Sequence, residues 1–92
     1  MIRSFADEET EEVWLTGRSR RFGNVGRVAV RKLQKIDFAA AVEDLRYPLG
    51  NRLEKLRGDR EGQYSIRIND QYRICFRWHD GDAWDVEIAD YH

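Results

Sequence analysis

The chain holds one cysteine, one proline and two histidines in 92 residues, and each scarcity removes a class of protein. A lone cysteine excludes an internal disulfide. With so few histidines it also leaves no zinc-type Cys/His spacing, which suits a reducing compartment. No apolar run approaches the ~20 residues of a membrane span, and Met1-Ile2-Arg3 does not open a signal peptide. The expectation is a cytoplasmic protein with no membrane partner. Repeats, low-complexity stretches and dividing linkers are also missing, so residues 1–92 are expected to form a single domain.

Net charge is nearly absent as well. At −1, with an isoelectric point near 6.1, the total gives no reason to expect a nucleic-acid partner. The distribution says more. Asp7, Glu8, Glu9, Glu11 and Glu12 cluster without a base, whereas Arg18, Arg20, Arg21, Arg27, Arg31, Lys32 and Lys35 follow with no acid among them. Bases outnumber acids from Arg46 to Arg77, and only acids follow. Segregation of this kind leaves a basic face on a neutral molecule, or else each block is a solvated surface. Apolar residues make up 41% and charged ones 36%, which allows one modest core beneath an ionised surface.

What is present falls into two periods. A brief strand over Ile2–Phe5 leads to a helix from about Asp7 to Thr16, with acids in its first turn and Gly17 as its stop. Asn24 is placed to cap a second helix running to about Phe38. Its inward stripe is Val25, Val28, Ala29, Leu33 and Ile36, and Arg27, Arg31 and Lys35 fall four apart on another face. That basic row is either a solvated helix face or a surface for an acidic partner. Ala39–Leu45 suggests one more helical turn ended by Pro48 and Gly50, with Arg46–Leu56 as loop.

From Gln63 the pattern alternates. Tyr64, Ile66 and Ile68 share a face, as do Tyr72, Ile74, Phe76 and Trp78, and then Trp84, Val86 and Ile88. Turn signals at Asn69-Asp70 and Asp80-Gly81 divide three strands. The fold class is α+β: a small antiparallel sheet of three to four strands, the N-terminal strand being the candidate fourth, with two N-terminal helices packed on one face. A three-residue loop at Asn69–Gln71 keeps the apolar residues in phase and sets Ile66 against Ile74 and Arg67 against Arg73. Similar reasoning over Asp80–Asp82 sets Trp78 against Trp84, Arg77 against Asp85, and Arg73 against Ala89, diagonal to Tyr91. Directly opposed arginines disfavour each other by roughly a few tenths of a kcal/mol. Nothing in the pattern neutralises Arg67 and Arg73 together, and an anion between them, such as phosphate, would.

These residues resemble the HigB branch of the RelE-like toxins. The resemblance is carried by Leu56-Arg57-Gly58-Asp59-Arg60-Glu61-Gly62, Tyr64-Ser65-Ile66, Tyr72-Arg73-Ile74, Gly81-Asp82-Ala83 and the terminal Asp90-Tyr91-His92, with Met1-Ile2-Arg3-Ser4-Phe5 at the opening. Asn51-Arg52-Leu53-Glu54 and Ile66-Arg67-Ile68-Asn69-Asp70-Gln71 are similar to the GraT subgroup. The resemblance implies the toxin of a type II toxin–antitoxin pair, a ribosome-dependent endoribonuclease that cleaves mRNA in the A site of the small subunit. It implies no metal and no cofactor. It also implies a HigA-like helix-turn-helix antitoxin as partner, and contact with operator DNA only through that antitoxin.

Cleavage without a metal requires the ribose 2′-OH to attack the adjacent phosphate. The site must accept that proton, stabilise the phosphorane and help the 5′-oxygen leave. Arg73 is the candidate for the phosphorane, because a guanidinium stays charged and binds two oxygens at once. The resemblance places Asp90, Tyr91 and His92 among the functional residues. Imidazole is the natural shuttle near neutral pH. Tyr91 falls on the arginine face by strand parity, and Asp90 is a base itself or orients its neighbours. Glu54 stands where some relatives have histidine, and carboxylate is a base more readily than an acid. Which residue is base and which is acid stays open. Lys55, Arg57 (a lysine in relatives), Arg60, Arg67 and Arg77 are candidate RNA-phosphate contacts, and Cys75 reads as structural. The acids of the first helix and last hairpin are expected to lie away from the RNA. The alternative is a non-catalytic RNA- or ribosome-binding repressor, or a degenerate toxin acting as co-repressor, and Glu54 is the feature that favours it.

Overall fold

Asp7 and Gly17 bound the first helix. In the computed structural model, which describes residues 1–90, α1 spans Glu8–Thr16. The Asp7 carboxylate accepts the Thr10 N–H at 2.7 Å, and left-handed Gly17 returns its N–H to the Val13 carbonyl. The second helix, α2, spans Gly26–Phe38 and buries Ala29, Leu33 and Ile36 of the expected stripe, whereas Val28 is half-buried and Val25 precedes the helix. Its start differs from the expectation. A 3₁₀ turn at Gly23–Val25 feeds straight into α2, so the residue before the helix is Val25, with no side-chain cap, rather than Asn24. Glycine at position 26 lets the helices meet closely: a Cβ there would sit 3.0 Å from the Gly17 carbonyl oxygen.

The sheet has four antiparallel strands in sequence order: β1 (Glu54–Lys55), β2 (Gln63–Arg67), β3 (Tyr72–His79) and β4 (Asp82–Asp90). The fourth strand is thus β1, drawn from the segment read as loop. Two residues are too few to show alternation, and their place is set by pairing of Glu54 with Ser65 and Lys55 with Tyr64. The N-terminal segment instead runs parallel to β4 through bridges at Ile2–Ala83 and Phe5–Val86, covering that edge. The predicted turn over Ala39–Leu45 appears as a 3₁₀ segment at Val42–Arg46, and a second follows at Leu49–Asn51.

The first hairpin has the expected register, with Ile66 opposite Ile74 and Arg67 opposite Arg73. The second departs from it. Asp80 and Gly81 both have positive φ, 52° and 79°, and form a two-residue turn that pairs His79 with Asp82, Trp78 with Ala83 and Arg77 with Trp84. An extra residue then restores the phase. Asp85, at φ 53°, lies in a bulge, after which Ile74 meets Ile88 and Arg73 meets Ala89. Hence Ala83 rather than Trp84 enters the core, and Trp84 is 39% exposed. Arg77 still reaches Asp85, at 3.6 Å, although the ladder opposes it to Trp84.

Helices and sheet share one core, in which Val13, Leu33, Ile36, Ile66, Ile74, Phe76, Val86 and Ile88 are essentially inaccessible. A polar contact ties α1 to the sheet: the buried Thr10 hydroxyl accepts the Ile88 N–H at 3.0 Å. Thr10→Val keeps the shape and strands that donor. Urea denaturation is expected to show a loss of about 1–3 kcal/mol, and an unchanged midpoint would contradict the pairing.

Candidate functional site

The helices cover the face of the sheet that carries Ile66, Ile74 and Phe76. The opposite face presents Ser65, Arg67, Arg73, Cys75 and Glu87, because strand side chains alternate. The loop after Pro48 and strand β1 lie against this second face. Arg52 adopts a left-handed conformation, φ 47° and ψ 55°, and its carbonyl accepts Arg73 Nη2 at 2.6 Å. Arg73 Nε donates to the buried Ser65 hydroxyl at 2.8 Å, and Nη2 also approaches the Ser65 carbonyl at 3.5 Å. Glu54, opposite Ser65 across the β1–β2 ladder, brings Oε1 to 4.0 Å from Nη2. The arginine is therefore held along one side, with its side chain only 11% exposed. Nη1 has no hydrogen-bond partner among the described residues.

The expectation that nothing neutralises Arg67 and Arg73 does not hold. Arg67 pairs with Asp70, and Arg73 has Glu54 and two backbone carbonyls. The reason is local: a turn carboxylate and a loop carbonyl reach the guanidinium groups, and neither is visible to strand parity. Asp70 is fully exposed, so water screens its pairing with Arg67.

The other candidates are distributed unevenly. Arg60 forms a two-point pair with Glu87, at 3.1 and 3.3 Å, and donates to Gln63 as well. Arg77 lies over Gly62, where a Cβ would come within 2.9 Å of its Nη1, and pairs with Asp85. Acids of the last hairpin thus do sit on the arginine face, against the expectation, but Glu87 and Asp85 are each matched by an arginine. Lys55 and Arg57 are exposed, form no ion pair among the described residues, and border a cleft of about 410 Å³ with Leu56, Glu61 and Gly62. Cys75 is fully buried, in keeping with a structural part. Asp90 opposes Tyr72 in the ladder, so it alternates to the helix-covered side of the sheet from Arg73, and its carboxylate accepts from Gln71 at 3.2 Å. Tyr91 and His92 lie outside the described residues.

Two contributors escaped the sequence reading. Ser65 anchors Arg73. Asn51, fully buried, donates to the Leu45 and Tyr47 carbonyls at 3.2 Å each and accepts from Lys32, which sets the loop that carries Arg52. The signal in sequence was slight: a serine among isoleucines on a strand, and an asparagine just before the loop's arginine.

A small antiparallel sheet with two helices on one face is the fold of RelE-like toxins, the class that this chain matches along its length. The YoeB–YefM complex from Staphylococcus aureus provides a solved structure of this fold, with TM-score 0.62 and 19% identity over 100% of this chain and 98% of that one. Sequence narrows the class. The family of HigB-like toxins, RelE-like toxins of type II toxin–antitoxin systems, matches residues 3–92. "Toxin HigB-1" of Vibrio cholerae is 40% identical over 85 residues, 90% of each chain. "Endoribonuclease HigB" of Proteus vulgaris is 39% identical over 61 residues, 66% of this chain and 65% of that protein. The chain belongs to the HigB-like toxins.

Proposed function

We propose that this toxin is a ribosome-dependent endoribonuclease that cuts mRNA in the A site by attack of a ribose 2′-OH on the adjacent phosphate. The observation that carries the reading is Arg73, fixed on one side by Ser65 and the Arg52 carbonyl and leaving Nη1 for an incoming oxyanion. A donor set before the charge develops stabilises the phosphorane without reorganisation. Glu54, 4.0 Å from that guanidinium, takes the 2′-OH proton. The proton for the leaving 5′-oxygen falls to Tyr91 and His92, with His92 the shuttle suited to neutral pH, while Asp90, which alternates to the other side of the sheet from Arg73, serves to orient its neighbours. Lys55, Arg57 and Arg67 hold flanking phosphates, and Arg60 and Arg77 do so by exchanging a carboxylate partner for phosphate. The name of the Proteus vulgaris relative supports the activity.

In the same reading residues 1–92 work as one domain in the cytoplasm. A HigA-like helix-turn-helix antitoxin holds the toxin inactive, and operator DNA is met only through that chain. The YoeB–YefM pairing of the structural neighbour supports an antitoxin. Primer-extension mapping of mRNA ends in a translating extract tests the activity. New ends within translated messages are expected on adding the protein, and unchanged transcripts would overturn the reading.

The second reading, a non-catalytic RNA- or ribosome-binding repressor, draws support from the same Glu54, whose carboxylate offsets the charge on Arg73. Translational inhibition that survives intact in Arg73→Ala would favour it. Ser65→Ala separates positioning from binding: it frees Arg73 Nε of its acceptor and is expected to slow cleavage roughly tenfold at unchanged message affinity. Equal losses in rate and affinity would refute a positioning role.

A further inference from the structure

The basic row on α2 acquires a second wall in the folded chain. A groove of about 420 Å³ runs between α2 and the end of β2, with Arg31, Lys32, Lys35 and Arg67 around a floor that includes Gly50 and Ile68. No carboxylate lines it among the described residues. Lys32 is held in place by its bond to the buried Asn51 side chain. Its pKa lies below the ordinary lysine value, first because of burial and then because Lys35, Arg31 and Arg67 stand near. Asp70 engages Arg67 from a fully exposed position where water screens it. Arg67 also opposes Arg73 across the ladder. Positive charge therefore continues from the Arg73 face, over the end of β2, and into the groove.

We propose that this groove is a second phosphate site, binding backbone phosphates of RNA outside the cleavage centre. It rests on the endoribonuclease reading and extends the RNA path of that site. A continuous row of cations suits a polymer with regularly spaced charge. An acidic peptide segment would need apolar pockets for anchoring side chains, and the groove offers little besides Val28 and Ile68.

The test is a salt titration of equilibrium binding with the whole chain and an Arg31→Gln/Lys35→Gln variant. Both positions are exposed on α2, so the fold is retained, which circular dichroism checks. One arm uses a short single-stranded RNA carrying 2′-O-methyl groups, which it cannot cleave; the other uses vacant ribosomes. Loss of two phosphate contacts is expected to weaken binding roughly tenfold and to reduce the log–log salt slope by about 1.4. The arm that shows the loss tells message from ribosomal RNA. Arg46→Gln, which removes an exposed arginine paired with Glu43, is expected to leave the slope unchanged. A double variant with the wild-type slope in both arms overturns the groove alone. Wild-type protein that binds neither RNA overturns the endoribonuclease reading with it.

Discussion

Arg73→Ala is expected to lower cleavage of translated message by roughly 10²–10³-fold, the effect of removing one prepositioned donor to a developing oxyanion. The fold survives the change. Arg73 lies on the face away from the core, so alanine leaves the packing of helices on sheet untouched and removes only the donors to the Ser65 hydroxyl and the Arg52 carbonyl. Arg73→Lys separates charge from geometry. Lysine supplies a cation but not two parallel N–H groups, and cannot at once keep the Ser65 and Arg52 contacts and face the substrate. Most of the loss is expected to persist in it, with message affinity close to wild type. Single-turnover cleavage rates on programmed ribosomes read this directly. An Arg73→Ala protein that cuts at the wild-type rate would remove Arg73 from the chemistry.

The second large effect is expected far from any reacting atom. Asn51→Ala takes away two donors to the Leu45 and Tyr47 carbonyls and the acceptor for Lys32 at a fully buried position. Urea denaturation is expected to show a loss of about 3 kcal/mol, since buried polar groups left unpaired cost about 1–3 kcal/mol each and some relax toward solvent. Activity falls too, because the next residue is Arg52, whose carbonyl fixes Arg73. Asn51→Asp retains an acceptor for Lys32 but turns a buried carboxylate toward the two carbonyls, so it is expected to lose at least as much as alanine. Full stability in Asn51→Ala would show that the loop is held by other means.

Much of the scaffold was legible because it obeys strong periods. Ala29, Leu33 and Ile36 follow helical spacing, and Ile66 opposite Ile74 follows from keeping apolar residues in phase around Asn69–Gln71. Alternation locates the Asp80-Gly81 turn but misjudges its length. A single bulged residue, Asp85, compensates a two-residue turn, and alternation alone does not distinguish that pair of events from a three-residue loop. Strand β1 has no signature in the sequence because two residues carry no period.

At the site, strand parity put Arg67 and Arg73 side by side. What holds Arg73 was hidden, because a backbone carbonyl at Arg52 has no signature in the side-chain sequence. The pairing of Arg60 with Glu87 joins residues 27 apart in sequence, and it too appears only in three dimensions. Such contacts explain how a chain with net charge −1 keeps a basic path: Glu87 and Asp85 on the arginine face are each matched by an arginine, while Lys55 and Arg57 form no ion pair and no carboxylate lines the α2 groove among the described residues.

Attack by the 2′-OH at the scissile phosphate leaves its mark in the chemistry of the cut ends. Messages cleaved on ribosomes by the wild-type toxin are expected to yield an upstream fragment ending in a 2′,3′-cyclic phosphate and a downstream fragment with a 5′-hydroxyl. A message with 2′-deoxyribose at the cleaved nucleotide is expected to remain whole. A downstream 5′-phosphate, or undiminished cutting of the deoxy-substituted message, would contradict it.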